Sequence, residues 1–491
     1  MVILPVFNPA DSMAFTPARL RFLPLFATVW LAFTGSAFAE APVSSAASPE
    51  PYAPAAPASA TLKDTFKNAF LVGVALNPRQ FGGSDPQATS LIGREFNCAT
   101  AENAMKWEAV EPRNNDFEFK LADQYIDFCR QHNLTIIGHN LCWHSQLPSW
   151  VFKPDAGQQK LTREVLLKRL KNHITTVATH FKGKVHGWDV VNEAIADRTG
   201  EYRDSIFYRV IGKEYLALAF KWAHEADPDA ELYYNDYNLD ADDAKRARAI
   251  ELVKYLHEQG ARIDGIGLQG HYNLTTPSAG KIDETIRMFA ALGLKVMITE
   301  LDVQVNRNAH ITGAVGATTG GSANNQEAHR PRLFPTPETL QSKLNLTGAQ
   351  LAQITPIINK ATKDIDAAIS SGEFHLIREI RTNSADAISK VLTTMQQTAF
   401  TEMMIIPPGG APVGPPPPPL TAAEQQELAN RYGEIFAVFL KNRPAITRVT
   451  FWGLRDADSW RRRSSPLLFD DNYQRKPAYD AVIAAGKKAG L

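Results

Sequence analysis

The chain has 491 residues, of which 44% are hydrophobic and 9% aromatic, enough for one large domain with additions or for two to three domains. Its 52 basic residues balance its 52 acidic residues, so net charge gives no reason to expect nucleic acid or an anionic membrane surface as a partner. A neutral substrate is easier to reconcile with this composition.

The N-terminus has the pattern of an export signal. Arg19 and Arg21 precede an apolar run at 22–33, and Ala37-Phe38-Ala39 supplies the small-x-small pattern that signal peptidase reads. The run is shorter than the ~20 apolar residues of a spanning helix, and no other segment is long enough to span a bilayer. We therefore predict a signal peptide at 1–39 and an exported protein, periplasmic or secreted.

Residues 40–60 are rich in Ala, Pro and Ser and predict an extended linker. The three cysteines, Cys98, Cys129 and Cys142, do not make a disulfide framework, although the sequence leaves open whether two of them pair. We expect buried small hydrophobic side chains instead. Their spacing suggests no zinc site.

Eight short runs rich in β-forming residues alternate with longer amphipathic segments. Eight strands, each followed by a helix, predict a (β/α)8 TIM barrel, with a doubly wound open sheet as the alternative. The candidate strands are 70–76, 96–103, 134–140, 185–193, 231–236, 265–271, 294–300 and 446–453.

Polar side chains collect where these strands end, and this favours the barrel, because the active sites of such barrels lie at the C-terminal ends of the strands. Any one of these residues could be a hydrogen-bonded core polar group, but their recurrence at one end predicts a shared cleft. In strand order they are Glu102, Asn103, Lys106, His139, Asn140, Asn192, Glu193, Asn235, Asp236, Gln269, His271, Glu300, Asp302 and Trp452.

Two glutamates stand out among them. Glu193 follows the apolar run WDVV in the stretch WDVVNEAI, and Glu300 follows the apolar run VMIT on a strand roughly opposite in an eight-stranded barrel. Paired carboxylates across a cleft are what glycosidic bond cleavage requires, one protonating the leaving oxygen and the other attacking or activating water. Nearby tryptophans could stack on sugar faces, with Trp188 expected in the core: Trp107, Trp143, Trp150, Trp188, Trp452 and Trp460.

The ordered blocks TAENAMKWEAVEP, GHNLCWHSQLPSW, GWDVVNEAIAD, YYNDYN, GIGLQGH, ITELDV and FWGLRDADSW resemble those of family 10 glycoside hydrolases, the endo-β-1,4-xylanases. The similarity covers about 62–305 and 421–488. It implies that Glu193 is the acid/base and Glu300 the nucleophile of a retaining hydrolase. Asn192 matches a residue that binds the sugar 2-hydroxyl, and His271 and Asp302 match the pair that orients the nucleophile.

The resemblance also implies a set of substrate-binding residues. Gln269 is expected beside the reacting sugar ring, and Asn235 and Tyr237 further along the cleft. Residues expected to line the sugar subsites before the scissile bond are Glu102, Asn103, Lys106, His139, Trp143, Gln146, Trp452 and Trp460. Xylan and xylo-oligosaccharides are the implied partners. We expect a monomeric protein that uses neither a cofactor nor a metal. A neutral, desolvated Glu193 and an ionised Glu300 are the protonation states that this chemistry favours.

The sequence departs from the family pattern after ITELDV, and this predicts a mostly helical insertion after the seventh strand. Residues 306–420 are predicted to interrupt the barrel, which would comprise 61–305 and 421–491. The insertion has a Gly-rich flank at 308–326, an amphipathic region at about 337–404 and a Pro-rich flank at 407–420.

Two LTxxQ elements, at 346–350 and 392–396, resemble repeats of periplasmic Spy/CpxP-like helical proteins. The alternative interpretation is that each element is simply the start of a helix with a threonine near the N-cap. For the whole chain, the alternatives to an exported endo-xylanase are a related retaining glycosidase acting on glucan or aryl-glycosides, and a non-catalytic xylan-binding protein. Retention of both glutamates with Asn192, His271 and Asp302 argues against the binding protein.

Overall fold

The computed structural model of the protein describes residues 60–491 apart from six gaps, at 198–199, 306–335, 372–373, 394–395, 398–399 and 401–417. The predicted signal peptide, nearly all of the predicted linker, the Gly-rich flank and most of the Pro-rich flank lie outside the described residues. Each helix among the described residues is too short or too polar to cross a lipid bilayer.

Nine strands are present in the described part of the chain, and eight of them close into a parallel barrel. Sheet order runs from β6 down to β1 and then through β9 to β8, and β8 pairs with β6 to complete the circle. The strands are β1 (Leu71–Leu76), β2 (Cys98–Ala101), β3 (Thr135–Trp143), β4 (Gly187–Asn192), β5 (Glu231–Asp236), β6 (Gly265–Leu268), β7 (His271–Asn273), β8 (Lys295–Gln304) and β9 (Ile446–Phe451). The predicted TIM barrel is confirmed.

The sixth predicted strand differs from the observed one. It was expected to run unbroken from 265 to 271, but the chain leaves the barrel after Leu268 and forms the separate short strand β7 alongside the end of β8. Gly270 lies at φ +78°, a left-handed conformation that a regular strand does not contain. The break places Gln269 and His271 on either side of a turn.

The helices surround the barrel and connect its strands. They are α1 (Leu62–Thr65), α2 (Pro78–Phe81), α3 (Pro86–Glu95), α4 (Trp107–Val110), α5 (Lys120–Gln131), α6 (Arg163–His180), α7 (Ile206–Ile211), α8 (Glu214–Ala226), α9 (Asp243–Glu258), α10 (Ala279–Ala290), α11 (Pro337–Leu344), α12 (Gly348–Ser371), α13 (Phe374–Ser389), α14 (Ala422–Lys441) and α15 (Pro477–Lys488). The helix predicted to resume at Thr421 is α14, and Thr421 and Glu424 cap it reciprocally.

Close packing inside the barrel fixes the strand positions. All six residues of β4 are buried, as expected for a parallel strand covered on both faces. Trp188 packs near Phe181, which directly follows α6, and beside Gly138, where an added Cβ would lie 2.2 Å from the indole ring. All three cysteine thiols are buried and unpaired, so the prediction of small hydrophobic side chains is confirmed.

Helices α11, α12 and α13 follow β8 in the chain and pack on an apolar cluster of their own. Its buried members, Leu340, Leu344, Leu346, Ile354, Ile358, Ala361, Ile388, Leu392 and Phe400, are separate from the barrel core. Amphipathic helices therefore bury their apolar faces against one another here.

The first LTxxQ element begins helix α12. Thr347 Oγ1 accepts a hydrogen bond from Gln350 N at 3.2 Å, and Gln350 Oε1 accepts one from Thr347 N at 3.0 Å. Thr393 and Gln396 repeat this arrangement at 3.4 and 3.0 Å. The Gln350 side chain also donates to Gln396 Oε1 at 2.8 Å, so the two caps contact each other. The N-cap interpretation is confirmed for the first element, where α12 begins at Gly348.

Candidate active site

Glu193 directly follows β4, and Glu300 lies within β8, just beyond its pairing with β6, which ends at Ile298. Glu193 is the first residue beyond β4, and its backbone lies at φ +57°, in the left-handed region that non-glycine residues rarely adopt. Its N–H donates to the carbonyl of Asn235 at 2.8 Å, and the N–H of Glu300 donates to that of Gln269 at 2.7 Å. Each glutamate is thus attached through its backbone to a neighbouring strand end.

The Glu193 carboxyl accepts hydrogen bonds on both oxygens. Trp143 Nε1 donates to Oε2 at 2.9 Å, and Gln269 Nε2 donates to Oε1 at 2.9 Å. Burial raises the pKa of Glu193, but the charges of His144 and Arg203 and these two donors outweigh it and lower the pKa below its usual value. The expectation of a neutral Glu193 is wrong for the substrate-free structure, because both donors stabilise the charged carboxylate.

Glu300 contacts an imidazole that bridges two carboxylates. Asn235 Nδ2 donates to Glu300 Oε1 at 2.8 Å, and His271 Nε2 lies 3.2 Å from Glu300 Oε2. His271 Nδ1 lies 3.0 Å from Asp302 Oδ2. Burial lowers the pKa of His271, but the charge of Asp302 and the hydrogen bonds to both carboxylates raise it to about 9. His271 is therefore an imidazolium at neutral pH and donates from both nitrogens.

Asp302 is held by two further donors. Trp460 Nε1 donates to Oδ2 at 2.8 Å, and Arg461 donates to Oδ1 at 3.0 Å. The contacts expected between His271, Asp302 and Glu300 are present. Arg461 was missed by the sequence analysis, although it directly follows Trp460 in a run of three arginines.

Asn235 is not placed further along the cleft as expected. Its side chain has no exposed area, donates to Asn192 Oδ1 at 2.9 Å as well as to Glu300, and accepts from Thr299 at 2.6 Å. Asn235 therefore links Asn192 to Glu300 by hydrogen bonds at the bottom of the cleft. It points inward because successive side chains along β5 alternate between the two faces of the sheet.

A second polar group lies beside Trp143. Lys106 Nζ donates to Gln146 Oε1 at 2.7 Å and to Asn103 Oδ1 at 3.1 Å, and it lies 4.7 Å from the centre of the Trp143 ring. Burial lowers the pKa of Lys106. Burial also raises the pKa of Glu102 to about 7, although the charge of Lys106 opposes the rise. Four predicted subsite residues thus come together around one ammonium.

The aromatic residues divide between cleft and core. Trp460 is 36% exposed, with its ring edge-on to His271, and the buried Trp452 lies edge-on to His139, whose Nδ1 is 2.9 Å from Asp189. Trp107, expected among the rings that could stack on sugar, is 2% exposed and stacks on His173 at 3.8 Å. That expectation is wrong for Trp107, because α4 turns its ring toward α6. Trp188 is in the core as predicted.

This arrangement can perform acid–base and nucleophilic chemistry on a neutral substrate. One carboxylate receives hydrogen bonds from neutral donors, which include Asn192 Nδ2 at 3.3 Å, and the other is paired with an imidazolium. The sequence profile of glycosyl hydrolase family 10 matches residues 61–335 and 373–485. The chain belongs to glycosyl hydrolase family 10.

Two xylanases and a solved structure resemble the chain over half of its length or more. Endo-1,4-beta-xylanase A of Xylanibacter ruminicola is 34% identical over 441 residues, 88% of this chain and 95% of its own length. Endo-1,4-beta-xylanase B of Paenibacillus barcinonensis is 42% identical over 249 residues, 50% of this chain and 73% of its own length. A solved psychrophilic family 10 endo-beta-1,4-xylanase has a TM-score of 0.61 at 31% identity, covering 86% of this chain and 98% of its own.

The interruption in the family 10 match, at 336–372, falls inside the predicted insertion of 306–420 but is shorter. The limits of the insertion therefore stay a prediction. The resemblance of its LTxxQ elements to Spy/CpxP-like repeats is not borne out by these comparisons. Among the described residues, no group of three or more His, Cys, Asp or Glu side chains could hold a metal ion.

Tyr237, expected in the cleft, belongs to a charged group that the sequence analysis missed. Its hydroxyl donates to Asp197 Oδ2 at 2.6 Å and accepts from Arg203 at 2.7 Å, and Lys245 Nζ lies 3.5 Å from its ring centre. These three partners lie in the loop after β4 and on α9, so the strand-end pattern could not find them. In the family 10 fold they surround the backbone that follows Glu193.

Proposed function

We propose that the protein is an exported endo-1,4-β-xylanase that hydrolyses internal β-1,4-xylosidic bonds with retention of configuration. The observation that carries this proposal is the different surroundings of the two glutamates within a family 10 barrel. Glu300 is paired with the His271 imidazolium, and Glu193 faces two neutral donors. Relatives named as endo-1,4-beta-xylanases support the choice of substrate.

In the first step, Glu300 attacks the anomeric carbon and forms a covalent glycosyl-enzyme while Glu193 protonates the departing glycosidic oxygen. His271 and Asn235 donate to the Glu300 carboxylate and hold it in one orientation for attack. The cation beside the attacking carboxylate offers it a charged hydrogen-bond donor, which is stronger than a neutral one.

In the second step, Glu193 takes a proton from water, which attacks the same carbon and releases the sugar with its original configuration. The lowered pKa of Glu193 in the substrate-free structure suits this base role. For the first step Glu193 has to carry a proton, so activity on unactivated substrates should decline as the pH rises through the pKa of Glu193.

Export is proposed on the N-terminal sequence alone. Arg19 and Arg21, the apolar run and the Ala-Phe-Ala site form the complete pattern of a cleaved signal. Determining the N-terminal residue of the protein recovered from the medium or the periplasm tests this, and Glu40 is the expected residue. An N-terminus upstream of Ala37, or retention in the cytoplasm, would contradict it.

Product analysis on xylan, arabinoxylan, cellulose and mannan tests the substrate assignment. We expect short xylo-oligosaccharides of several lengths from xylan early in the reaction, as internal cleavage produces, and no release from cellulose or mannan. Glu300→Ala should abolish release, whereas Glu258→Ala, which removes an exposed carboxyl on α9, should not change it. Release from cellulose at a rate equal to that from xylan would refute the xylanase assignment.

A further inference from the structure

Lys245 is a buried charge with no role in the two-step reaction described above. It lies on α9 with 1% of its side chain exposed, and its ammonium contacts two carboxylates, Asp236 and Asp197, each at 2.9 Å. Asp236 is itself fully buried. Burying a charged pair is costly unless hydrogen bonds complete it, so such a pair needs an explanation.

Lys245, Asp236 and Asp197 begin two chains of hydrogen bonds, here called arms. One arm, through Asp236, reaches the backbone that follows Glu193. Asp236 Oδ2 accepts a hydrogen bond from the Tyr234 hydroxyl at 2.5 Å. The same hydroxyl oxygen accepts from the N–H groups of Ala194 and Ile195 at 3.0 and 3.1 Å. The Lys245–Asp236 pair therefore orients the acceptor of both peptide groups directly after Glu193.

The other arm reaches the carbonyl of Glu193 itself. Asp197 accepts from the Tyr237 hydroxyl, and that hydroxyl accepts from Arg203 at 2.7 Å. Arg203 Nε then donates to Glu193 O at 2.9 Å. Together the two arms fix three successive backbone polar groups around a glutamate held at φ +57°, a conformation that persists only when its surroundings determine it.

We propose that Lys245 and Arg203 are positioning residues for the acid/base carboxyl, holding the chain after β4 so that Glu193 meets Trp143, Gln269 and the glycosidic oxygen. This inference rests on the proposed function, because it assigns the group a part in leaving-group protonation. The two arms end on the Glu193 peptide and not on its carboxyl. Their removal should therefore displace the acid and leave the nucleophile, braced from β5 and β7, in place.

Electrostatics supports the proximity of this group to Glu193. The charge of Arg203 is among the causes that lower the pKa of Glu193. Burial raises the pKa of Asp236 to about 6, and the charge of Glu193 contributes to the rise while Lys245 opposes it. The charges of Arg203 and Asp236 thus interact electrostatically with the Glu193 carboxyl through a poorly solvated interior.

Lys245→Met tests the proposal by removing the ammonium and keeping the alkyl stem. Two substrates are compared: xylohexaose, whose leaving sugar needs protonation, and dinitrophenyl β-xylobioside, whose leaving group does not. A misplaced general acid should lower kcat/KM on xylohexaose by about 30-fold or more and on the aryl substrate by less than about threefold. Lys254→Met is the matched control, because Lys254 lies on the same helix with its side chain 53% exposed.

The ratio of the two losses separates positioning from a merely structural role. Partial unfolding would lower both rates equally, since it reduces the amount of active enzyme. Equal losses on both substrates, or no loss on either, would overturn the proposal. Lys245→Arg, which keeps the charge, should recover at least part of the xylohexaose rate.

Arg203→Met keeps the proposal testable if Lys245→Met does not fold. Arg203 is partly exposed and donates directly to the Glu193 carbonyl, so its removal should give the same unequal pattern with a smaller loss. Failure of the wild-type protein to cleave xylohexaose would refute the proposed function. If the wild type cleaves xylohexaose and Arg203→Met leaves the ratio of kcat/KM on the two substrates unchanged, the positioning role alone is refuted.

Discussion

Replacing His271 by asparagine removes the cation between Glu300 and Asp302 and should affect both activity and stability. The pKa of His271 is raised from 6.5 to about 9, and its side chain is only 10% exposed. At 1.36 kcal/mol per pKa unit, this rise corresponds to about 3 kcal/mol of stabilisation of the imidazolium by its two carboxylates. Part of this energy acts through Glu300, and its loss from the orientation of the nucleophile should lower the rate by about 10-fold to 10²-fold.

The sign of the pH dependence follows from the direction of the pKa change. A group whose pKa is raised on folding contributes its full stability below its unfolded pKa and loses it as pH rises through its folded pKa. The stability difference between wild type and His271→Asn should therefore be largest below 6.5 and disappear as the pH rises through about 9.

Denaturant unfolding across this pH range measures the stability difference, and steady-state kinetics measures the activity. Unlike the Lys245 variants, His271→Asn should lower kcat on xylohexaose and on dinitrophenyl β-xylobioside by similar factors, because both need the nucleophile. His257→Asn, at an exposed position on α9, is the control. A stability difference that does not vary with pH, or a kinetic loss of less than about fivefold on the aryl substrate, would refute the reasoning.

Glu193→Ala should slow cleavage of xylohexaose by about 10²-fold to 10⁴-fold. It should slow glycosyl-enzyme formation from dinitrophenyl β-xylobioside much less, as pre-steady-state release of dinitrophenol would show. Equal losses of the two rates would contradict the role of Glu193 as the acid. Deleting 307–420 and joining Asn306 to Thr421 by a short loop should leave a folded, active barrel, because α11–α13 have their own apolar cluster; an unfolded product by circular dichroism would make the segment structural. A reducing agent should not change the melting temperature, since all three cysteines are unpaired; a clear decrease would indicate a disulfide.

The barrel could be predicted because its strands, being buried on both faces, form apolar runs that end in polar residues. Glu193, Glu300, His271 and Asp302 follow such runs directly, so the position in the sequence nearly determines the position in the cleft. The break at Gly270 was missed because an isolated glycine in an apolar run does not show whether the chain turns there.

Side-chain direction was harder to predict than position. Asn235 and Trp107 lie where expected in the chain, but one points into the floor between the glutamates and the other into the core. Lys245 and Arg203 come from a helix and a loop, and they reach Glu193 through its backbone. Contacts of this kind have no sequence spacing, because they join segments brought together only by the closed barrel.

Trapping the covalent intermediate tests the central claim most directly. A 2-fluoro-xylobioside with an activated leaving group should inactivate the enzyme and add one 2-fluoro-xylobiosyl group, since the fluorine slows both steps and the leaving group keeps only the first one fast. Mass spectrometry of the digested protein should locate the added group on Glu300, and Glu300→Ala should acquire none. A label on another residue, or complete inactivation without a covalent adduct, would contradict Glu300 as the nucleophile of a retaining hydrolase.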